Sequence, residues 1–262
     1  MMKLKILAIG NSFSVDAMQW IYEIAEDCGV KELTLGNLYI GGCSLERHDK
    51  NTVTSAPEYI YFKNTHGVWE SKESCTILDG IKDEAWDVIT MQQASGCSGM
   101  PETYPPHLGN LIKFVKANRT NPKAQIIWHM TWAYQQNSEH QDFVNYEKNQ
   151  KSMYKAILNT VQSQIVSNPE IIDVIPTGTA IQNARRGPIG DTLTRDGFHL
   201  SLDLGRYIAG MTWVKKLLNV PIDAVQFVPE PRTIPEEYIR LAKDAVNHAL
   251  EDPFCVNTMK EA

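Results

Sequence analysis

Lys5-Ile6-Leu7-Ala8-Ile9-Gly10-Asn11-Ser12-Phe13-Ser14 begins with a short apolar run that stops at a glycine and passes into small polar residues. A continuous apolar run of this length suits a strand covered on both faces. The stop at Gly10-Asn11, just before a periodic stretch, marks a strand-to-helix turn. Similar runs recur over residues 33–40, 87–91, Gln125–His129 and 171–176. Between them, residues 17–27 set Met18, Ile21, Ile24 and Ala25 at helical spacing, and residues 108–116 and 146–166 show the same period. Residues 207–218 and 235–250 read as closing helices. Five strands alternating with helices imply parallel βαβ units, so the fold class is α/β.

The bulk numbers narrow the function classes. At 262 residues the chain is within reach of one α/β domain, and a single domain over 1–262 is expected. With 43% hydrophobic and 21% charged residues, it should fold throughout. The formal charge of −6 comes from acids spread along the chain, with no run of Lys or Arg, so no nucleic-acid partner is expected. Five scattered cysteines without a C-x-x-C pair point to free thiols rather than a disulfide framework or a zinc knuckle. The apolar opening is too short for a signal peptide or a membrane span, which reads as a cytoplasmic protein with no membrane partner. Residues 51–79 and 96–107 lack periodicity and follow strand ends, where open α/β sheets place their ligand crevice.

Ser12 sits on the first strand-to-helix turn, where its hydroxyl lies beside backbone N–H groups able to stabilise an oxyanion. Alternatively, Ser12, Ser14 or Asp16 simply caps the helix. Near the other end, Asp196-Gly197-Phe198-His199 supplies what a serine nucleophile requires: an imidazole to take its proton and a carboxylate to orient that imidazole. The histidines outside this segment show no metal-ligand spacing, and neither metal nor cofactor is expected.

Asn11-Ser12 after the first strand, together with D-x-x-H before the last helices, resembles the SGNH (GDSL-like) hydrolases, and the resemblance spans nearly the whole chain. It implies a flavodoxin-like three-layer α/β/α fold with a mainly parallel five-stranded sheet. It also implies Ser12 as nucleophile, with Asp196 and His199 completing the triad. The family's usual first block reads Gly-Asp-Ser, whereas Asn11 stands here in place of the Asp. Gly41-Gly42-Cys43-Ser44 resembles the second block, whose glycine N–H joins Ser12 in the oxyanion hole. Gly42 is favoured, with Gly41 as the alternative. The third block's Asn is absent, and Gln92-Gln93 stands there instead. A Gln side-chain amide could donate in the same way, with Gln93 favoured over Gln92. The stretch 175–185 is similar to one seen in a bacterial SGNH subgroup, and is expected to shape the site without a catalytic step.

The resulting expectation is a serine esterase acting on small acyl esters, acetyl above all, carried by carbohydrates or other small molecules. A non-catalytic carbohydrate-binding protein on the same scaffold and a lipase or lysophospholipase-type esterase are the alternatives. Met130, Trp132 and Tyr134 could line the substrate cleft or belong to the core. Oligomeric state is left open.

Overall fold

The computed structural model describes residues 3–230 and 234–257. At its centre, β1 (Lys3–Gly10) pairs in parallel with β2 (Glu32–Tyr39) on one side and with β5 (Val88–Met91) on the other. Beyond β5 lie β6 (Gln125–His129) and β7 (Asp173–Ile175), also parallel. These are the five strands expected from the apolar runs, with ends shifted by at most two residues.

Two strands were not expected. Within residues 51–79, β3 (Tyr59–Asn64) and β4 (Trp69–Cys75) form an antiparallel hairpin on the free side of β2, giving a seven-stranded order β4-β3-β2-β1-β5-β6-β7. The expectation of five strands is therefore corrected to seven. Residues Trp69 to Ser74 are all at least partly exposed and are mostly polar or charged, which blunts the sheet edge and hides the strand from hydrophobic patterning.

The helices form two layers. α1 (Ser12–Met18), α2 (Ile21–Asp27), α7 (Thr177–Arg185) and α9 (Glu236–Glu251) all pack on α8 (Leu204–Leu218). A second set joins α3 (Leu45–Thr54), α4 (Ile77–Asp83) and α5 (His107–Asn118). With the sheet between them, the layers make the expected α/β/α fold.

The single helix expected over 17–27 is broken between Met18 and Ile21. That expected over 146–166 begins only with α6 (Gln150–Thr160), continued by a wider turn over Val161–Val166. Glu147 and Lys148 hold positive φ just before it, and the Asn149 side chain caps its first turn by accepting from Ser152 N–H. α7 escaped periodicity for the opposite reason to β4. Every one of its residues is buried, so it has no polar face to alternate against.

Strand order sets where a ligand can enter. The chain leaves β1 toward β2 and returns on the other side of β1 at β5, so the loops beyond Gly10, Tyr39 and Met91 diverge and open a crevice at the carboxyl ends of these strands. Among the described residues no helix is long and apolar enough to cross a membrane.

Candidate active site

The crevice holds a cavity of about 540 Å³ whose walls include Ser12, Gly41, Gly42, Ser95 and His199. Ser12 is the first residue of α1, but it does not cap it. The cap is Asn11, whose Oδ1 accepts from Phe13 N–H at 3.0 Å. The Ser12 hydroxyl is thereby free to point outward, and it lies 2.8 Å from Nε2 of His199.

His199 is carried by a tight excursion of chain. Arg195 N–H donates to the His199 carbonyl at 2.9 Å and Ser201 N–H to the Leu193 carbonyl at 2.8 Å. At its tip Gly197 takes φ +90, and a Cβ there would lie 2.9 Å from Ser138 Oγ, so only glycine turns the chain at that point. The tip is pinned from outside by Gln135 N–H on the Gly197 carbonyl and by Trp132 Nε1–H on the Phe198 carbonyl at 2.7 Å. Trp132 itself stacks on Phe13, with ring centroids 4.2 Å apart.

Asp196 meets the imidazole from behind. Its Oδ2 lies 2.6 Å from His199 Nδ1, and its Oδ1 accepts from the backbone N–H groups of His199 at 2.7 Å and Phe198 at 3.2 Å. Burial pushes this carboxyl up. The hydrogen bonds from the His199 ring and from the two backbone N–H groups, with the imidazole's charge, outweigh that and hold it below the ordinary carboxylate value. An ionised Asp196 accepts a hydrogen bond from Nδ1–H, which fixes the proton on that nitrogen and leaves Nε2 as acceptor for the Ser12 hydroxyl.

Gly42 has φ +62 and lines the cavity beside Gly41. The two glutamines of the third block do not reach it. Gln93 Oε1 accepts from Leu45 and Ala94 N–H, and its Nε2 donates to the carbonyl and hydroxyl of Thr103. Gln92 instead completes a buried chain. His129 Nδ1–H donates to Gln92 Oε1 at 2.8 Å, Gln92 Nε2 donates to Asn11 Oδ1 at 2.8 Å, and Asn11 Nδ2 donates to the Cys43 carbonyl at 3.1 Å. The far His129 nitrogen accepts from the Thr177 hydroxyl at 3.1 Å. An aspartate at position 11 could accept from Gln92 but could not donate to the Cys43 carbonyl, so the Cys43 contact accounts for the amide in the Gly-Asn-Ser block.

Burial pulls His129 down to about 3, and burial with the Arg47 charge does the same to His48. In the unfolded chain each would take its proton near pH 6.5. Between about 3 and 6.5 the unfolded state therefore binds protons that the folded state refuses, and stability falls as pH drops through that window. Going from pH 7 to pH 5 should cost about 2 kcal/mol per histidine. Urea unfolding at the two pH values measures this, and His129→Gln, which keeps an amide donor for Gln92, should remove about half of the difference.

The chain matches the family described as Domain of unknown function (DUF4886) over residues 5–249. It is a member of the DUF4886 family. A DUF4886 protein from Bacteroides uniformis is 39% identical, with 98% of each chain covered and a TM-score of 0.92. More distant structures share the fold. A protein described as a candidate SGNH hydrolase from Slackia heliotrinireducens is 19% identical over 82% of this chain and 98% of its own, with a TM-score of 0.51. A carbohydrate esterase family 3 protein from Talaromyces cellulolyticus is 11% identical over 82% and 97%, also with a TM-score of 0.51. Among curated proteins, none matches this chain.

In this DUF4886 protein several cavity residues carried no sequence signal. Met130, Trp132 and Tyr134 are fully buried core, and the cavity's rings besides His199 are Tyr39, Phe62, His140 and Phe198. Phe62 comes from the unexpected hairpin, and His140 packs edge-on against Phe198 at 4.6 Å. The carboxylate of Asp16, on the helical turn after Ser12, does more than the cap its position suggests. It accepts from Leu200 N–H at 2.8 Å, from Arg195 Nη1 at 3.0 and 3.2 Å and from Arg206 Nε at 2.8 Å. It thus binds the segment bearing His199 to the helix bearing Ser12. The only local hint was its i+4 spacing from Ser12, which puts both on one helix face.

Proposed function

We propose that this protein is a serine esterase acting on small acyl esters, acetyl esters of carbohydrates first among them. The observation that carries the reading is the unbroken chain from Ser12 Oγ through His199 to Asp196, at 2.8 and 2.6 Å, opening onto the cavity. His199 takes the hydroxyl proton as Ser12 Oγ attacks the ester carbonyl, and Asp196 stabilises the imidazolium. The N–H groups of Ser12 and Gly42 are the proposed donors to the oxyanion. His199 then gives its proton to the departing alcohol, and water releases the acyl group by the same steps in reverse.

The carbohydrate part is supported by the aromatic residues Tyr39, Phe62 and Phe198 around the cavity, a residue type that packs on the C–H face of a sugar, and at the level of fold by the carbohydrate esterase neighbour. A fluorophosphonate probe should label Ser12, and 4-nitrophenyl acetate should be cleaved faster than long-chain esters. A protein that binds sugars but neither reacts with the probe nor cleaves acetate would be a non-catalytic scaffold. A clear preference for long acyl chains would move the assignment to lipases.

A further inference from the structure

The Ser12 cavity carries more cationic side chain than ester hydrolysis uses. Arg195 and Arg206 both line it, and between them lies a single carboxylate, Asp16, which is 1% exposed at its side chain. Two guanidiniums on one carboxylate leave one positive charge on this wall, in a chain whose net charge is −6. The nearby Asp196 carboxylate is turned to the His199 ring and is not among the cavity's lining residues.

The two arginines are not equivalent. Arg206 engages Nε and Nη2 with Asp16 and Nη1 with Gln19 Oε1, and its side chain is 15% exposed. Arg195 engages only Nη1, with both Asp16 oxygens and the Leu200 carbonyl. Among the described residues its Nε and Nη2 donate to no protein acceptor, and its side chain is 34% exposed. The Nε–Nη2 edge of a guanidinium presents two parallel N–H groups at the spacing of a carboxylate's oxygens. Here the opposite edge is held by a buried aspartate, so the free edge is fixed before any ligand arrives.

We propose that the substrate is an anionic ester, whose carboxylate sits on the Nε–Nη2 edge of Arg195 while Ser12 attacks the ester carbonyl. This rests on the esterase reading above. The carboxylate can belong to the alcohol, as in an acetylated uronic acid, or to the acyl group, as in a half-ester of a dicarboxylic acid. Arg195 recognises the same chemistry in both.

Two matched pairs separate these sources: acetylated glucuronate against acetylated glucose, and the 4-nitrophenyl half-ester of glutaric acid against 4-nitrophenyl pentanoate. In one pair the anionic member should have a kcat/KM about 10- to 100-fold above its neutral partner at low salt, as a charge-assisted two-point contact gives. Added salt should shrink that ratio. Arg195→Gln should bring the ratio close to one. Arg195→Lys keeps a charge beside Asp16 but loses the fork, and should fall between. As a measurement independent of turnover, glucuronate or glutarate should raise the Tm of the Ser12→Ala protein where glucose does not. Neutral esters cleaved as fast or faster in both pairs, with Ser12 still labelled by fluorophosphonate, would overturn the anion site and leave the esterase standing. No labelling and no cleavage of any ester would remove the esterase, and the Tm measurement would then decide the anion site alone.

Discussion

Replacing Ser12 by alanine should lower kcat on 4-nitrophenyl acetate by about 10⁵- to 10⁶-fold with KM within a few-fold of its original value. The size follows from the geometry. With the hydroxyl gone, His199 Nε2 faces no nucleophile, and the cavity retains only the weak catalysis that oriented backbone donors give to attack by water. Because, among the described residues, the Ser12 hydroxyl makes no hydrogen bond other than the one to His199, the variant should unfold at an unchanged urea midpoint. Asp196→Asn should cost less, about 10⁴-fold, since it leaves the nucleophile and base in place but removes the acceptor that sets the tautomer. Turnover of Ser12→Ala at the original rate would end the assignment of Ser12.

The second large effect is expected at Asp16, away from the reacting atoms. Asp16→Ala removes the one carboxylate between two guanidiniums and leaves Leu200 N–H without its acceptor. Breaking a buried ion pair from one side costs about 3 kcal/mol at the low end, and that end applies here because Arg206 stays mostly desolvated while Arg195, 34% exposed, can turn to water. In the fraction that stays folded, the loop bearing His199 loses its tie to α1. A displacement of about 1 Å there costs on the order of 10²-fold in kcat. Asp16→Asn keeps an acceptor for Leu200 N–H and should lie between. Urea unfolding together with kcat per labelled Ser12 separates the two losses. An Asp16→Ala protein with both unchanged would show that the loop is held by its other contacts, Gln135 N–H and Trp132 Nε1–H.

Much of the frame was legible in the residues. The five parallel strands are apolar runs because both of their faces are covered, and burial on both faces is visible as composition. Helices α5 and α9 were legible because each has one dry face and one wet one. Strand β4 and helix α7 were not, since one is mostly exposed and the other wholly buried, and neither alternates. Asn11 illustrates the limit for single residues. Its identity departs from the usual first block, and only the bond it donates to the Cys43 carbonyl shows that an amide is required there.

The sequence by itself determined the α/β class, the turn that presents Ser12, and the D-x-x-H segment that puts a carboxylate behind an imidazole. Each is a matter of residue types within a few positions, where backbone geometry leaves few choices. Only the tertiary structure decided that Ser12 and His199, 187 positions apart, meet at 2.8 Å. It alone turned Gln92 and Gln93 away from the cavity and set Arg195 and Arg206 on Asp16. Those contacts join elements distant in the chain. They depend on which buried polar groups find partners once the sheet has closed, a condition that no local stretch of residues records.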